Sequence, residues 1–478
     1  MNAFAQMPVY KRALILYLAF SFIMSVGTVN GLQIALPQIM KDFDVPVTTA
    51  AWVGMAYFVA LAGGTLALSG LTKIYDSRKL VIFGLVADVV VMVVTFFTQD
   101  MYVFIICRFL SPLARVFPWL VLQVQGIGGF PPEERGKAVG YNMVAQGLGL
   151  MLALPLTGLV VDTIGWRWMF MGTSVLFLAM VPIVLATIPP LPPQKDEKSK
   201  LSDFDFLGSG LMMFGTISLI TSLQLFARGL AGGVLIPALA LLGIGALAGF
   251  VWVELHSKAP VLQFSLFRDP GVLMASSQAV LMGSITGIFL LMLPFLFIDG
   301  FGWSAAYASN ILLFQNLTRP LAGPVGGRLA DKYGTGAVIL PAAAVSVVGQ
   351  VALAMLNASP AAILVAGVVL LWGTGLALMQ TANLSQIYSA LPQHQLHLAP
   401  SMNLVVTTFG TTVGQATGSL LVERIANASD TAVEFQDGVS VAVLVIAVLF
   451  SVGIVLTQVL PRLVLSRRKE PVVEMAAD

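Results

Sequence analysis

Four charged residues, Asp88, Arg108, Arg115 and Arg319, fall inside apolar stretches of this 478-residue chain, where ionised side chains are costly and usually functional. Arg108 and Arg115 are seven residues apart, so they share one face if the stretch is a helix. Asp88 lies in the preceding stretch, and an antiparallel hairpin turning near Asp100 puts it level with Ser111, between the two arginines. Either guanidinium can then reach the carboxylate.

Two interpretations of this cluster stay open. A buried ion pair would hold the two helices together without moving protons. Alternatively, Asp88 takes up and releases a proton, and its charge is set by arginines exposed to a substrate. In the second case Arg108 and Asp88 form a proton-coupling pair.

Other polar side chains in the apolar stretches are candidates for a central cavity. They are Thr28, Asn30, Gln33, Arg115, Gln278, Asn316, Arg319, Gln380 and Asn383. We expect interhelical hydrogen bonds to occupy at least half of the neutral ones, and Arg319 has the alternative of reaching the membrane surface. Surplus guanidinium groups in such a cavity would favour carboxylates or phosphates.

The elements that position these residues are fourteen apolar stretches, each near the roughly 20 residues that cross a bilayer as a helix. The predicted spans are 13–36, 49–71, 80–98, 101–125, 138–161, 168–188, 206–226, 232–253, 271–298, 304–325, 337–356, 361–383, 400–421 and 440–461. The sequence therefore predicts an all-α membrane protein with 14 transmembrane helices.

Basic residues divide unevenly between the two sides of this topology. Of the 25 Lys and Arg residues, 18 lie at the termini and in the even-numbered connections, and four lie in the odd-numbered ones. Because cytoplasmic loops are rich in Lys and Arg, both termini are predicted to be cytoplasmic. A charged content of only 10% and a net charge of +2 indicate a lipid environment and exclude a nucleic-acid partner.

The loops after spans 2 and 10 resemble each other, which indicates two related six-helix halves. Both, at 69–79 and 327–334, are short, begin near a glycine and carry mixed charge. The predicted divisions are an amino-terminal six-helix half at 1–188, a cytoplasmic linker at 189–205, an extra transmembrane hairpin at 206–254, a carboxy-terminal six-helix half at 255–462 and a cytoplasmic tail at 463–478.

Several motifs carry a family resemblance over residues 10 to 462. The matching segments are Gly327–Gly334 (GRLADKYG), Ala35-Leu36-Pro37, Trp52 with Tyr57, Arg108, Phe130–Gly136 (FPPEERG) and Gly165–Phe170 (GWRWMF). Together they resemble the major facilitator superfamily, and within it the fourteen-helix drug:proton antiporter branch. The resemblance implies two six-helix halves plus a two-helix central insert, alternating access, and a role for Arg108 in proton coupling.

Gating residues are expected in the loops and in one kinked helix. They are Asp331, Arg328, Gly327, Asp76, Arg78, Pro155 and Gly158. A carboxylate between helix ends can cap a helix or hold a cation, and proline with glycine suits a helix that moves against its neighbours.

The chain departs from the branch at two places. Ile74 occupies the usual acidic position of the first loop, and Thr28 stands where many relatives have a membrane-embedded Asp that contacts cationic drugs. We therefore expect weak transport of lipophilic cations.

These observations predict a multi-pass secondary transporter of the bacterial inner membrane that exports small organic molecules, coupled to protons. Sequence motifs of hydrolases, metalloproteases and nucleotide-driven pumps are absent from the full sequence, so no enzymatic activity, cofactor or metal site is predicted. We expect a monomer, and a periplasmic adaptor is left open. The alternatives are a transporter of an anionic metabolite or siderophore, and a transporter-like sensor or scaffold that no longer transports.

Overall fold

Helices make up nearly all of the backbone that the computed structural model describes. It describes residues 8–27, 30–69, 71, 75–128, 135–188, 206–227, 234–256, 266–267, 269–356, 359–390 and 399–468. The predicted linker at 189–205 lies outside these residues. So do Thr28 and the side chains of Asn30, Arg319 and Asp331.

Seventeen helices are numbered here in chain order within the described residues. They are α1 Val9–Gly27, α2 Asn30–Ile34, α3 Leu36–Phe43, α4 Val47–Ala50, α5 Trp52–Ser69, α6 Ser77–Phe97, α7 Met101–Gly128, α8 Arg135–Thr163, α9 Arg167–Thr187, α10 Phe206–Ala227, α11 Leu235–His256, α12 Pro270–Phe295, α13 Ala305–Tyr333, α14 Thr335–Ala354, α15 Ala362–Ala390, α16 Ala399–Ala428 and α17 Ala432–Arg468. A π-helical turn, Leu296–Gly300, extends α12.

Within the described residues, ten helices are long and apolar enough to cross a bilayer. This confirms an all-α, multi-pass membrane protein, while the count of fourteen spans and the two-helix insert stay predictions. Within the first predicted span, a turn at Ala35 separates α2 from α3, and Pro37 lies in the first turn of α3, where its missing N–H costs no hydrogen bond.

Several helices run past the ends of the predicted spans. The last extends over Ala432–Arg468, although the apolar stretch covers only 440–461. Hydropathy marks the part of a helix that fits the hydrocarbon layer, whereas backbone hydrogen bonds continue the same helix into polar surroundings.

The helices pack as two bundles, α1–α9 and α12–α17, which we call the amino-terminal and carboxy-terminal bundles. They meet where α8 lies against α13 and α5 against α16, while α10 and α11 pack on each other and α10 also contacts α5 and α16. The tightest pairing is between α12 and α16. A Cβ atom on Gly418 would lie 3.1 Å from the Ile288 carbonyl oxygen, and Gly410 and Gly414 approach α12 more closely still. These three glycines, at four-residue spacing, form a small-residue face of α16 against α12.

Candidate functional site

The buried charge cluster lies inside the amino-terminal bundle. Arg115 Nε donates to Asp88 Oδ2 over 2.8 Å, and the Ser111 hydroxyl donates to Asp88 Oδ1 over 2.7 Å. Both ionic side chains are 1% exposed. The predicted register of the α6–α7 hairpin is therefore correct, because Asp88 lies level with Ser111.

Arg115 points towards α6 and α9. Its Nη2 lies 3.7 Å from the Met92 sulfur, and its guanidinium carbon is 5.5 Å from the centre of the Phe177 ring. The Asp88 carboxylate offsets its charge at short range. The geometry thus joins Arg115 to the helix-holding ion pair, and a role for it in the substrate cavity stays a prediction.

Arg108 is anchored differently, against α5. Its Nε donates to the Val53 carbonyl oxygen over 3.2 Å, and its guanidinium carbon is 4.8 Å from the centre of the Tyr57 ring. The side chain is 1% exposed. Both contacts attach the Arg108 guanidinium to α5.

Between the two bundles lies a narrow central cleft. The amino-terminal bundle contributes Gln33 and Leu154, and the carboxy-terminal bundle contributes Thr286, Phe289 and Asn316. The cleft has a volume of ≈ 40 Å³, far below the roughly 300–1,000 Å³ of a site for a drug-sized ligand. This conformation is therefore contracted around the cleft.

The structure separates the predicted cavity residues into two groups. Gln33 and Asn316 line the cleft, whereas Asn383 Nδ2 donates to Gln278 Oε1 over 3.2 Å and to a backbone oxygen of α12 over 2.8 Å. Gln278 and Asn383 thus pair with each other inside the carboxy-terminal bundle. Gln380 is half-buried on α15.

Sequence reasoning missed Gln415, a fully buried glutamine on α16. Its amide lies beside that of Gln33, and both approach Gly54 of α5: a Cβ atom there would be 2.8 Å from Gln415 Oε1. Three helices that are distant in sequence bring these groups together. The only signal in the sequence is a polar residue between Gly414 and Gly418 in an otherwise tightly packed helix face.

Polar contacts join the two bundles at one end, where the chain turns at 44–46, 163–166 and 301–304; we call this the latch end. Asp162, at the end of α8, accepts hydrogen bonds from the backbone N–H groups of Ala305 and Ala306, at 3.3 Å and 2.7 Å. It thereby caps α13 from the other bundle.

A second carboxylate makes the reverse contact at the latch end. Glu423 of α16 accepts from the backbone N–H of Thr48 over 3.0 Å, in the turn that leads into α5. In each case the fifth long helix of one bundle supplies a carboxylate to the start of the second long helix of the other. Lys41 and Asp299 add a more exposed pair at 3.6 Å.

Gly158 allows the bundles to approach at the latch end. A Cβ atom there would lie 2.6 Å from the Ala306 Cα and 2.8 Å from the Ala305 carbonyl oxygen. Pro155 lies within α8, one turn earlier. This close approach gives a gating role of Gly158 a physical basis, and gating by Gly158 and Pro155 stays a prediction.

At the opposite end, the predicted gating residues of the first loop have local partners. Asp76 Oδ1 accepts from the Lys79 backbone N–H over 3.0 Å and caps α6, while Arg78 Nη2 donates to the Leu185 carbonyl oxygen near the end of α9 over 2.7 Å. On α13, Arg328 is exposed. Gly327 faces open space, since a Cβ atom there would meet nothing within 4 Å.

Comparison with known proteins gives consistent similarities. A family model described as Major Facilitator Superfamily matches residues 18–419. The riboflavin transporter RibZ of Clostridioides difficile (strain 630) is 24% identical over 405 residues, covering 82% of this chain and 84% of RibZ. The multidrug resistance protein Stp of Mycobacterium tuberculosis (strain CDC 1551 / Oshkosh) is 23% identical, covering 81% of this chain and 72% of Stp.

Among solved structures, a mutant form of the nucleoside transporter NupG superposes with a TM-score of 0.67 at 11% sequence identity. The match covers 94% of this chain and 99% of NupG. At this identity the likeness concerns the fold alone.

Proposed function

Because the chain belongs to the major facilitator superfamily, we propose that it is a secondary active transporter that exports small organic molecules in exchange for protons. The observation that carries the proposal is the central cleft, which both bundles line with polar and apolar side chains and which is closed by contacts at the latch end. A site between two rigid bundles suits alternating access, in which the bundles rock about the bound molecule.

The orientation of the protein in the membrane follows from its basic residues. With both termini in the cytoplasm, the latch end lies outside the cell. The contracted cleft then belongs to a conformation that is closed to the exterior. Opening requires that Asp162 and Glu423 leave the helix starts that they cap.

For proton coupling we propose Arg108 as the principal residue, with Asp88 of α6 as the proton-binding group. Asp88 contacts Ser111 and Arg115 of α7, the helix that also carries Arg108. Arg108 is held by α5, which also contributes Gly54 next to the cleft. Movement of α5 on substrate binding would shift the guanidinium and so change the charge balance around Asp88 and Arg115.

The substrate class is proposed from the cleft and from the relatives. The Asp88 carboxylate offsets the positive charge of Arg115. The structure therefore gives less support for an anionic substrate than the count of arginines in the sequence gave. A relative named as a riboflavin transporter suggests an uncharged heterocyclic substrate, and one named as a multidrug resistance protein suggests drug-like compounds. In the bacterial inner membrane such an exporter works as a monomer, with or without a periplasmic adaptor.

The proposal is tested in everted membrane vesicles, in which export appears as uptake. Respiring vesicles that contain the protein should accumulate riboflavin or drug-like heterocycles, and a protonophore should release them. Accumulation that equals that of vesicles without the protein, over a panel of such compounds, would contradict export and favour the sensor or scaffold alternative.

A further inference from the structure

Two glutamine amides from opposite bundles face each other across Gly54. Gln33 belongs to α2 and lines the cleft, and Gln415 belongs to α16. A Cβ atom on Gly54 would lie 2.8 Å from Gln415 Oε1 and 3.0 Å from its Nε2, and closer still to Gln33 Nε2. Only glycine leaves room for both amides at this point of α5.

These amides have unused hydrogen-bonding capacity. Among the described residues, neither amide atom of Gln415 has a hydrogen-bond partner, nor has the Oε1 atom of Gln33. The two side chains are 0% and 3% exposed. Buried polar atoms are nearly always hydrogen-bonded, so a set of three beside a cleft indicates a group that binds there.

The chemistry of the amides defines that group. A carboxamide carries a carbonyl oxygen beside an NH₂ group, and turning it by 180° keeps one acceptor and one donor. Its best partner is an edge with a donor next to an acceptor, as when glutamine reads the N6/N7 edge of adenine. Both side chains are uncharged, so they give no preference for an ion.

We propose that Gln33 and Gln415 form a substrate subsite for an uncharged N–H/C=O edge, such as that of a lactam, an imide or a nucleobase-like heterocycle. The inference rests on the proposed function and names the substrate class of the same cleft. Because each bundle supplies one amide, a bound edge bridges the bundles, and their separation at this end of the cleft breaks the subsite.

Paired ligands test the subsite without any proton gradient. Riboflavin has an imide N–H between two carbonyl groups, and 3-methylriboflavin has a methyl group in place of that hydrogen. Purified protein should bind riboflavin about tenfold to a hundredfold more tightly than 3-methylriboflavin, because the methylated ligand leaves buried amide atoms of the protein unpaired. Quenching of flavin fluorescence measures both dissociation constants.

Substitutions test whether the amides of Gln33 and Gln415 cause the preference for riboflavin over 3-methylriboflavin. Gln33→Met and Gln415→Met keep a long side chain and remove unpartnered polar atoms, so folding should be preserved. Each should reduce the ratio of the two dissociation constants towards one. Gly54→Ala should do the same by displacing both amides.

Gln350→Met is the matched control. Gln350 is a buried glutamine whose Oε1 atom has no partner among the described residues, but it belongs to α14, its Nε2 donates to Ser346 of the same helix over 3.3 Å, and it is not one of the side chains that approach Gly54. It should keep the wild-type ratio.

Equal binding of the two flavins by the wild-type protein, binding of neither, or an unchanged ratio in both methionine variants would each overturn the subsite. The proposed function fails separately. If the protein prefers riboflavin to 3-methylriboflavin but no gradient drives transport, the subsite stands and proton-coupled export does not. If a proton gradient drives transport of both flavins equally well, export stands and the subsite does not.

Discussion

Removing the charge of the two latch carboxylates should open the protein at the latch end. Glu423→Gln retains a side-chain oxygen for its backbone hydrogen bond and loses only the negative charge. Asp162→Asn loses the charge and also one of two backbone acceptors, because an NH₂ group replaces one of the carboxylate oxygens. A carboxylate in this position contributes about 0.3–1 kcal/mol when exposed. The double variant should therefore lose about 1–2 kcal/mol of latch stability, which is about a fivefold to thirtyfold shift towards the open form.

The opening can be measured by the labelling rate of a single cysteine. Cys107 is the only cysteine in the chain, so a Cys107→Ser background with Leu293→Cys places the reporter in the cleft. A membrane-impermeant maleimide added from outside should label the double variant about ten times faster than its parent, since labelling follows the open fraction.

Glu434→Gln is the control for this experiment. Glu434 is exposed at the same end but accepts its hydrogen bond from the nearby Asp430 backbone, within one loop. The control should label at the parental rate. If the double variant also labels at that rate, the carboxylates do not hold the bundles together and the latch reasoning is refuted.

Further predictions concern topology, the ion pair and coupling. A reporter fused after Asp478 should be cytoplasmic, and one inserted within 427–437 should be external. An external carboxy terminus would contradict the prediction of fourteen spans. Asp88→Asn leaves Arg115 buried without its counter-ion and should lower the free energy of unfolding by about 3–5 kcal/mol. Adding Arg115→Gln should restore much of this stability. If thermal unfolding shows no restoration in the double variant, the pairing is disproved. Arg108→Ala should leave folded protein in the membrane but abolish gradient-driven transport, and normal accumulation by that variant would assign Arg108 a structural role only.

The sequence predicts those features that depend on composition and on local register. Long apolar stretches require helices in a bilayer, and the short connection at Asp100 places Asp88 beside Ser111 once both helices form. The small-residue face of α16 is also visible in the sequence, because glycines at four-residue spacing lie on one side of a helix.

Features that depend on rotation or on distant pairing are not predictable in this way. Asp88 is equally far along the hairpin from Arg108 and Arg115, and only the rotation of α6 and α7 decides that it pairs with Arg115. The Thr48–Glu423 contact joins residues 375 positions apart. No local pattern marks either contact, because helix rotation within the amino-terminal bundle sets the first and the packing of the two bundles sets the second.

Gln415 shows the same limit for the candidate site. A buried glutamine within a glycine-rich helix face reads as an ordinary interhelical hydrogen bond. Its importance emerges only when Gly54 and Gln33 are seen beside it and its amide is found without a partner among the described residues.

Coupling between substrate and protons is the central claim, and it is measured most directly in proteoliposomes that contain a pH-sensitive dye. With no imposed gradient, adding riboflavin on one side should move protons in the opposite direction, at a rate that saturates with substrate and is lost in the Arg108→Ala variant. Riboflavin flux without any change in internal pH, or a pH change that persists in the Arg108→Ala variant, would contradict the account.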